Sequence, residues 1–289
     1  MLSGALSLGR VWDIKSFLGK RIPRIVAPFL FWNLLLAGIL FVCSYLGYSN
    51  FLTTVNLDSM LHSLYTIFFV IPKGLFRPNW FFWMILGTYL IMPIFNKWLL
   101  HSDLKEAEYF LCIWLVTCVF DFTLNIECPI KLTYFTSPIG LVVLGYYLRH
   151  TKRKIYENNY FVALLIIIPA IILMILTYIR SSPDAMICCN RYSVFLAVEV
   201  AGVFLLFRNL VTNINHNGIV YKFVFALAKY SYGIYLFHNF VIYRLFGILK
   251  GMYTPVLMVV LLVSVIFICL AVMALLNRVP YLNQIIGAK

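Results

Sequence analysis

Two groups of residues in this 289-residue chain have the types and spacing to do chemistry. The first is His238 with Glu199 and Asn33, polar or ionisable side chains that lie inside long apolar runs. An ionisable group at the centre of a bilayer costs at least about 2.5 kcal/mol unless it faces protein or water. A neutral imidazole so placed can take a proton from a hydroxyl while a neighbouring carboxylate fixes its tautomer. The same pair can equally hold two helices together and do no chemistry. His62, His101, His150 and His216 fall between the apolar runs, which leaves His238 as the imidazole inside one. The second group is Lys20, Arg21 and Arg24, just before the first run. On a helix, the i,i+3 and i,i+4 spacings put them on one face. Guanidinium forks match phosphate oxygens bidentately, so the cluster can clamp the phosphates of a nucleotide-bearing donor. Alternatively it anchors the helix by snorkelling to lipid head groups.

The elements that must position these groups are membrane helices. The chain is 63% hydrophobic and only 11% charged, with a mean hydropathy of +0.93, which excludes a soluble globule, a disordered chain and a collagen-like one. Apolar runs near 26–47, 79–99, 107–123, 135–149, 160–180, 191–209, 230–249 and 255–277 predict eight spans in an all-α polytopic bundle. A shorter apolar stretch, 57–72, reads as an interfacial helix. Of the 23 basic residues, sixteen fall on the side shared by the two termini and seven on the other, so the positive-inside rule puts both termini in the cytoplasm. Glu199 and His238 each lie eight residues inside their runs, about 12 Å from opposite surfaces of a slab roughly 30 Å thick, so the two could meet.

The net charge of +13 sits in short clusters between apolar runs, where it reports orientation and contact with membrane lipid rather than nucleic acid. Seven cysteines without a CxxC or Cys/His spacing do not describe a metal site. Cys43, Cys112, Cys118 and Cys269 fall in apolar runs and are expected to pack as small hydrophobes. Cys128, Cys188 and Cys189 fall outside the membrane, where either a bridge from Cys128 to one of the pair or free thiols would fit. Trp80, Phe81, Phe82 and Trp83, with Trp98 at the other end of the second run, read as an aromatic belt.

Four stretches together carry a family resemblance: MLSGALSL at Met1–Leu8, FLGKRIPRIVAPFLFW at Phe17–Trp32, NWFFWMILGTYLIMPI at Asn79–Ile94 and SYGIYLFHNFVI at Ser231–Ile242. In these and in their order the chain resembles the acyltransferase 3 family of bacterial membrane O-acyltransferases, closest to the branch acting on surface polysaccharides. The resemblance covers the whole chain as one membrane-embedded domain, 1–289. It implies transfer of an acyl group, usually acetyl, from acyl-CoA to a hydroxyl of a glycan or lipid-linked glycan at the inner membrane, with no permanently bound cofactor. The family's donor-associated RxxR element maps onto Arg21-Ile-Pro-Arg24, with Lys20 beside it. Members usually carry two further helices before the SGxL element, including a catalytic histidine. Here that element begins at Met1, so the chain is expected to be N-terminally incomplete, with no residue inheriting that role: either the start is assigned too late and the full enzyme is ordinary, or the truncation is natural and the chain is expected to be inactive. His238, Glu199 and Asn33 remain site-lining candidates. The competing class is transport, in which a related protein exports a polysaccharide or flips a lipid-linked intermediate without acyl transfer.

Overall fold

The computed structural model describes residues 1–46, 79–126, 138–180, 190–210, 218–249, 251 and 253–288, whose regular structure is helical throughout. The stretch 57–72 and Cys128, Cys188 and Cys189 lie outside the described residues. A short helix α1 (Leu2–Ser7) precedes α2 (Ile14–Tyr45), α3 (Trp80–His101) and α4 (Leu104–Thr117), which continues as a π-helical turn, Cys118–Leu124. Then follow α5 (Pro138–His150), a 3₁₀ turn (Lys154–Glu157), α6 (Asn159–Arg180), α7 (Val194–Leu210), α8 (Ile219–Ile248), α9 (Thr254–Leu276) and a terminal turn α10 (Leu282–Ile285).

Each apolar run coincides with one of these helices, and the chain is a polytopic helical membrane protein. Among the described residues, five stretches are long and apolar enough to cross a bilayer: Ile14–Ile39, Trp80–His101, Leu104–Leu124, Asn159–Ile179 and Thr254–Leu276. The helix α5 has 13 residues, about 20 Å of rise, less than the slab demands. The boundaries of α2 and α8 differ most from hydropathy. They begin at Ile14 and Ile219, well before their apolar runs, because Lys and Arg are good helix formers and a helix satisfies its own backbone at the interface. As a result Lys20, Arg21 and Arg24 all stand on α2. Cys118 and Cys269 are fully buried as small hydrophobes, Cys43 is partly buried, and Cys112 is exposed.

Packing divides the chain into two compact units, Met1–Asp13 with Leu90–Ile214, and Ile14–Tyr89 with Asn215–Lys289. In the first, α1 lies on α5 at a crossing of small residues. A Cβ on Gly4 would strike the Val142 carbonyl, and one on Gly145 would strike the Met1 carbonyl. Gly is what allows the two backbones to touch. The carbonyls at the end of α1 are then taken up by side chains: Arg149 Nη1 donates to Ala5 O at 2.6 Å and Trp12 Nε1 to Ser7 O at 2.8 Å. Asn96, buried on α3, accepts from the Gly9 amide and donates to the Arg10 carbonyl, both at 2.9 Å. The SGxL stretch is thus a packed element of this unit. At its far end the Thr123 hydroxyl donates to Cys118 O within the π-helical turn and accepts from the Val194 amide, satisfying a donor at the start of α7.

In the second unit α8 packs along α9, and α2 lies against α8 and α10. Gly233 on α8 approaches the Ile286 carbonyl, and Gly287 adopts φ +86 beside the Gly233 backbone, so the chain's last turn closes onto α8. Trp32 Nε1 donates to Ile286 O at 3.1 Å, tying the same turn to α2.

The α1–α5 crossing makes a direct prediction. Gly4→Leu overpacks the contact and is expected to cost about 1–3 kcal/mol, read as a lowered melting midpoint of the detergent-solubilised chain. Gly38→Leu on α2, where a Cβ meets nothing within 4 Å, is expected to leave the midpoint unchanged or raised.

Candidate functional site

The candidate site is built on α2. Its buried stripe runs through Phe17, Ile25, Phe29, Trp32, Asn33 and Leu36, a helical spacing with a single gap. Arg21 fills that gap, one turn after Phe17 and one before Ile25. Its guanidinium carbon lies 5.8 Å from the centre of the Phe17 ring and 6.0 Å from that of Tyr89 on α3. The two rings meet edge to face at 6.2 Å. A cation over aromatic faces is attracted by their quadrupoles, increasingly so as water is withdrawn. Lys20 and Arg24 on either side are exposed. The three cations therefore separate into one that is turned inward and held and two that are solvated. Pro28 has no N–H to give the Arg24 carbonyl, which adds backbone polarity beside the cluster.

Above Arg21 the stripe is closed by aromatic contacts and a few polar ties. The Tyr232 hydroxyl of α8 donates to Ile25 O at 3.0 Å. Phe29 stacks on Phe82 at 3.7 Å, and Trp32 meets Phe237 at 4.8 Å. Asn33, twelve residues beyond Arg21 and so about 18 Å along the helix, donates to Phe29 O at 2.8 Å and accepts from Asn79 Nδ2 at 2.6 Å. Both amides are buried. Asn33 is therefore fixed by protein partners and braces α2 against the start of α3.

His238 stands on α8, one turn from Tyr235, whose ring contacts Phe81 at 4.8 Å. Its Nδ1 lies 2.6 Å from the Tyr235 carbonyl oxygen. A carbonyl only accepts, so Nδ1 is the nitrogen that bears a proton toward it, and Nε2 is the nitrogen left to face the groove. The ring lines an open groove of about 650 Å³ between α8 and α9, with Ser231 and Tyr235 among otherwise apolar neighbours such as Ile242, Leu261 and Val265. Glu199 is partly buried on α7 in the first unit, whereas His238 belongs to the second. Within its own unit His238 takes its tautomer from a backbone carbonyl and needs no carboxylate for it.

Sequence reasoning did not single out Asn79, Tyr89 or Tyr232. Asn79 carried a signal, since an amide heading an apolar run needs a partner inside it. Tyr89 and Tyr232 carried none, because a tyrosine in a membrane helix looks the same whether it packs on lipid or under an arginine.

A family model described as an acyltransferase domain, that of acyltransferase 3, matches residues 1–278. Neither the comparison with curated proteins nor that with solved structures gave a significant match.

The Asn33–Asn79 bond is open to measurement by a double-mutant cycle. Asn33→Leu and Asn79→Leu each remove one side of this buried amide–amide bond and are expected to destabilise the chain by about 1–3 kcal/mol. The double variant should recover part of the sum, with a coupling of about 0.6 kcal/mol and at most about 1.7, by denaturation in mixed micelles.

Proposed function

As the chain belongs to the acyltransferase 3 family, we propose that it moves an acyl group, acetyl in the usual case, from acyl-CoA to a hydroxyl of a cell-surface polysaccharide or glycolipid. Family membership makes it a membrane acyltransferase; the donor, the acceptor and a bacterial inner-membrane location with cytoplasmic termini are our reading. The observation that carries the donor side is the position of Arg21. A head-group anchor would point every cation outward, yet Arg21 occupies the buried stripe of α2, over Phe17 and Tyr89. A guanidinium so held offers a rigid fork to phosphate at the mouth of the helix, with Arg24 and Lys20 adding charge from solvent. The thin acyl-pantetheine arm then enters along the aromatic stripe. The acceptor oxygen attacks the thioester carbonyl, the C–S bond breaks as the ester C–O bond forms, and the acceptor proton passes through a base to the departing thiolate. His238 is assigned to the lining of the reaction space and not to the base, with Asn33 as a brace within the same unit.

Label from acetyl-CoA appearing on a glycan hydroxyl is the expected result in membranes containing the chain. Export of unmodified glycan with no label transferred would instead make the protein a transporter. For the donor site, Arg21→Ala is expected to raise the KM for acyl-CoA about tenfold or more, since a hydrogen bond to a charged group contributes roughly 1.5–3 kcal/mol. Arg24→Ala and Lys20→Ala should have smaller effects, and an unchanged donor KM in all three would sink the clamp. His238→Gln is expected to lower activity modestly and keep the pH profile of kcat/KM; loss of the acidic limb, along which the rate rises as a base loses its proton, would make His238 the base.

A further inference from the structure

The first unit holds a second cavity, apart from the residues assigned above to acyl transfer. It has a volume of about 330 Å³ and runs among α4, α5, α6 and α7. Its polar lining residues, Glu108, Tyr147, Arg153 and Tyr156, sit together at one end, and Arg208 adjoins them without lining the cavity. Tyr147, near the end of α5, donates to Glu108 Oε1 at 2.8 Å, and Arg153 donates to the same oxygen at 2.6 Å. Arg208, near the end of α7, donates from Nη1 to Leu148 O at 2.5 Å and from Nη2 to Tyr156 O at 3.4 Å, and both of these carbonyl-bearing residues line the cavity. Glu108 opens α4, Tyr147 closes α5, Arg153 precedes α6 and Arg208 closes α7. The polar rim therefore lies where four helices end. From that rim the cavity descends past Leu111 and Leu115 on α4, Leu165 on α6 and Ala197 and Ala201 on α7. Ala197 is eleven residues from Arg208, about 16 Å deeper. Two of these helices, Leu104–Leu124 and Asn159–Ile179, are membrane spans, so the rim is at head-group level and the slot points into hydrocarbon.

We propose that this cavity is a binding site for an anionic glycerophospholipid of the surrounding bilayer, one acyl chain in the slot and the phosphate head group at the rim. The two small residues Ala197 and Ala201 leave the width of a chain, and the volume is in the usual range of ligand pockets, about 300–1,000 Å³. The sign of the head group follows from charge. Glu108 engages Arg153, whereas Arg208, beside the rim, bonds among the described residues to the Leu148 and Tyr156 carbonyls and the Asn209 side-chain oxygen, none of which carries charge. Lys152 and Lys154 flank Arg153 and are exposed, with Glu157 the acid of this turn. Arg153 is itself 57% exposed and can reach a phosphate without leaving Glu108. By the distribution of basic residues this end is the cytoplasmic one, where anionic lipid is concentrated. The bound lipid would splint α4, α5, α6 and α7, whose shared slot no side chain of the described residues fills.

The test uses the full chain released from nanodiscs containing phosphatidylglycerol and phosphatidylcholine in equal amounts. Native mass spectrometry is expected to show phosphatidylglycerol retained at least tenfold over phosphatidylcholine. Arg153→Gln should reduce that preference several-fold, and Ala201→Phe, which fills the slot and leaves every charge in place, should abolish retention. Equal retention of the two lipids, or unchanged retention in Ala201→Phe, overturns the proposal. Should Ala201→Phe not fold, phosphatidylglycerol carrying a photoreactive group on its acyl chain decides the matter on the unaltered chain. Cross-links in peptides containing Leu111–Leu115 or Ala197–Leu205 support the site, and cross-links confined elsewhere reject it.

Discussion

Hydrocarbon offers no hydrogen bonds, so every polar group placed in it must find its partner within the protein. Most of the structure follows from that constraint. Asn33 finds Asn79, Trp32 finds the Ile286 carbonyl, and Thr123 serves both its own π-helical turn and the first amide of α7. The same need recurs at helix ends, where the last carbonyls have no helical donor. Arg149 supplies one for α1 and Arg208 supplies one for α5. These arginines belong to the basic clusters that the sequence reads as a topology signal, and they also cap the helices they lie beside.

Arg21 is the informative exception to head-group anchoring. Its place on the buried stripe of α2 puts a fixed positive charge under two aromatic rings, where a flexible snorkelling side chain would have gone outward. Holding a cation there costs desolvation, which the aromatic faces offset in part and which a phosphate would offset further. That unequal treatment of neighbouring cations, Arg21 inward and Lys20 and Arg24 outward, is what supports the proposed binding role over simple anchoring. The donor reading rests on it.

The class of protein and the position of its helices were legible from composition and from runs of apolar residues, because length and apolarity are local properties that the bilayer tests segment by segment. The family motifs were legible in the same way, and each is now seen to hold structure. SGxL is the α1–α5 crossing at Gly4, and the NWFFW stretch carries both Asn79 and the Phe82 that stacks on Phe29. The starts of α2 and α8 were not legible, since hydropathy falls where the helix leaves hydrocarbon although its hydrogen-bonding continues.

The sequence by itself determined an all-helical membrane chain, the family to which it belongs, and a short set of polar residues that demanded partners. Tertiary structure decided who those partners are. It gave Asn33 an amide at the start of α3, gave His238 the carbonyl of Tyr235, and gathered Glu108, Tyr147 and Arg153 from separate segments onto the rim of one slot. The reason is physical: spacing along one helix sets which face a side chain takes, but only the packing of helices decides what that face meets.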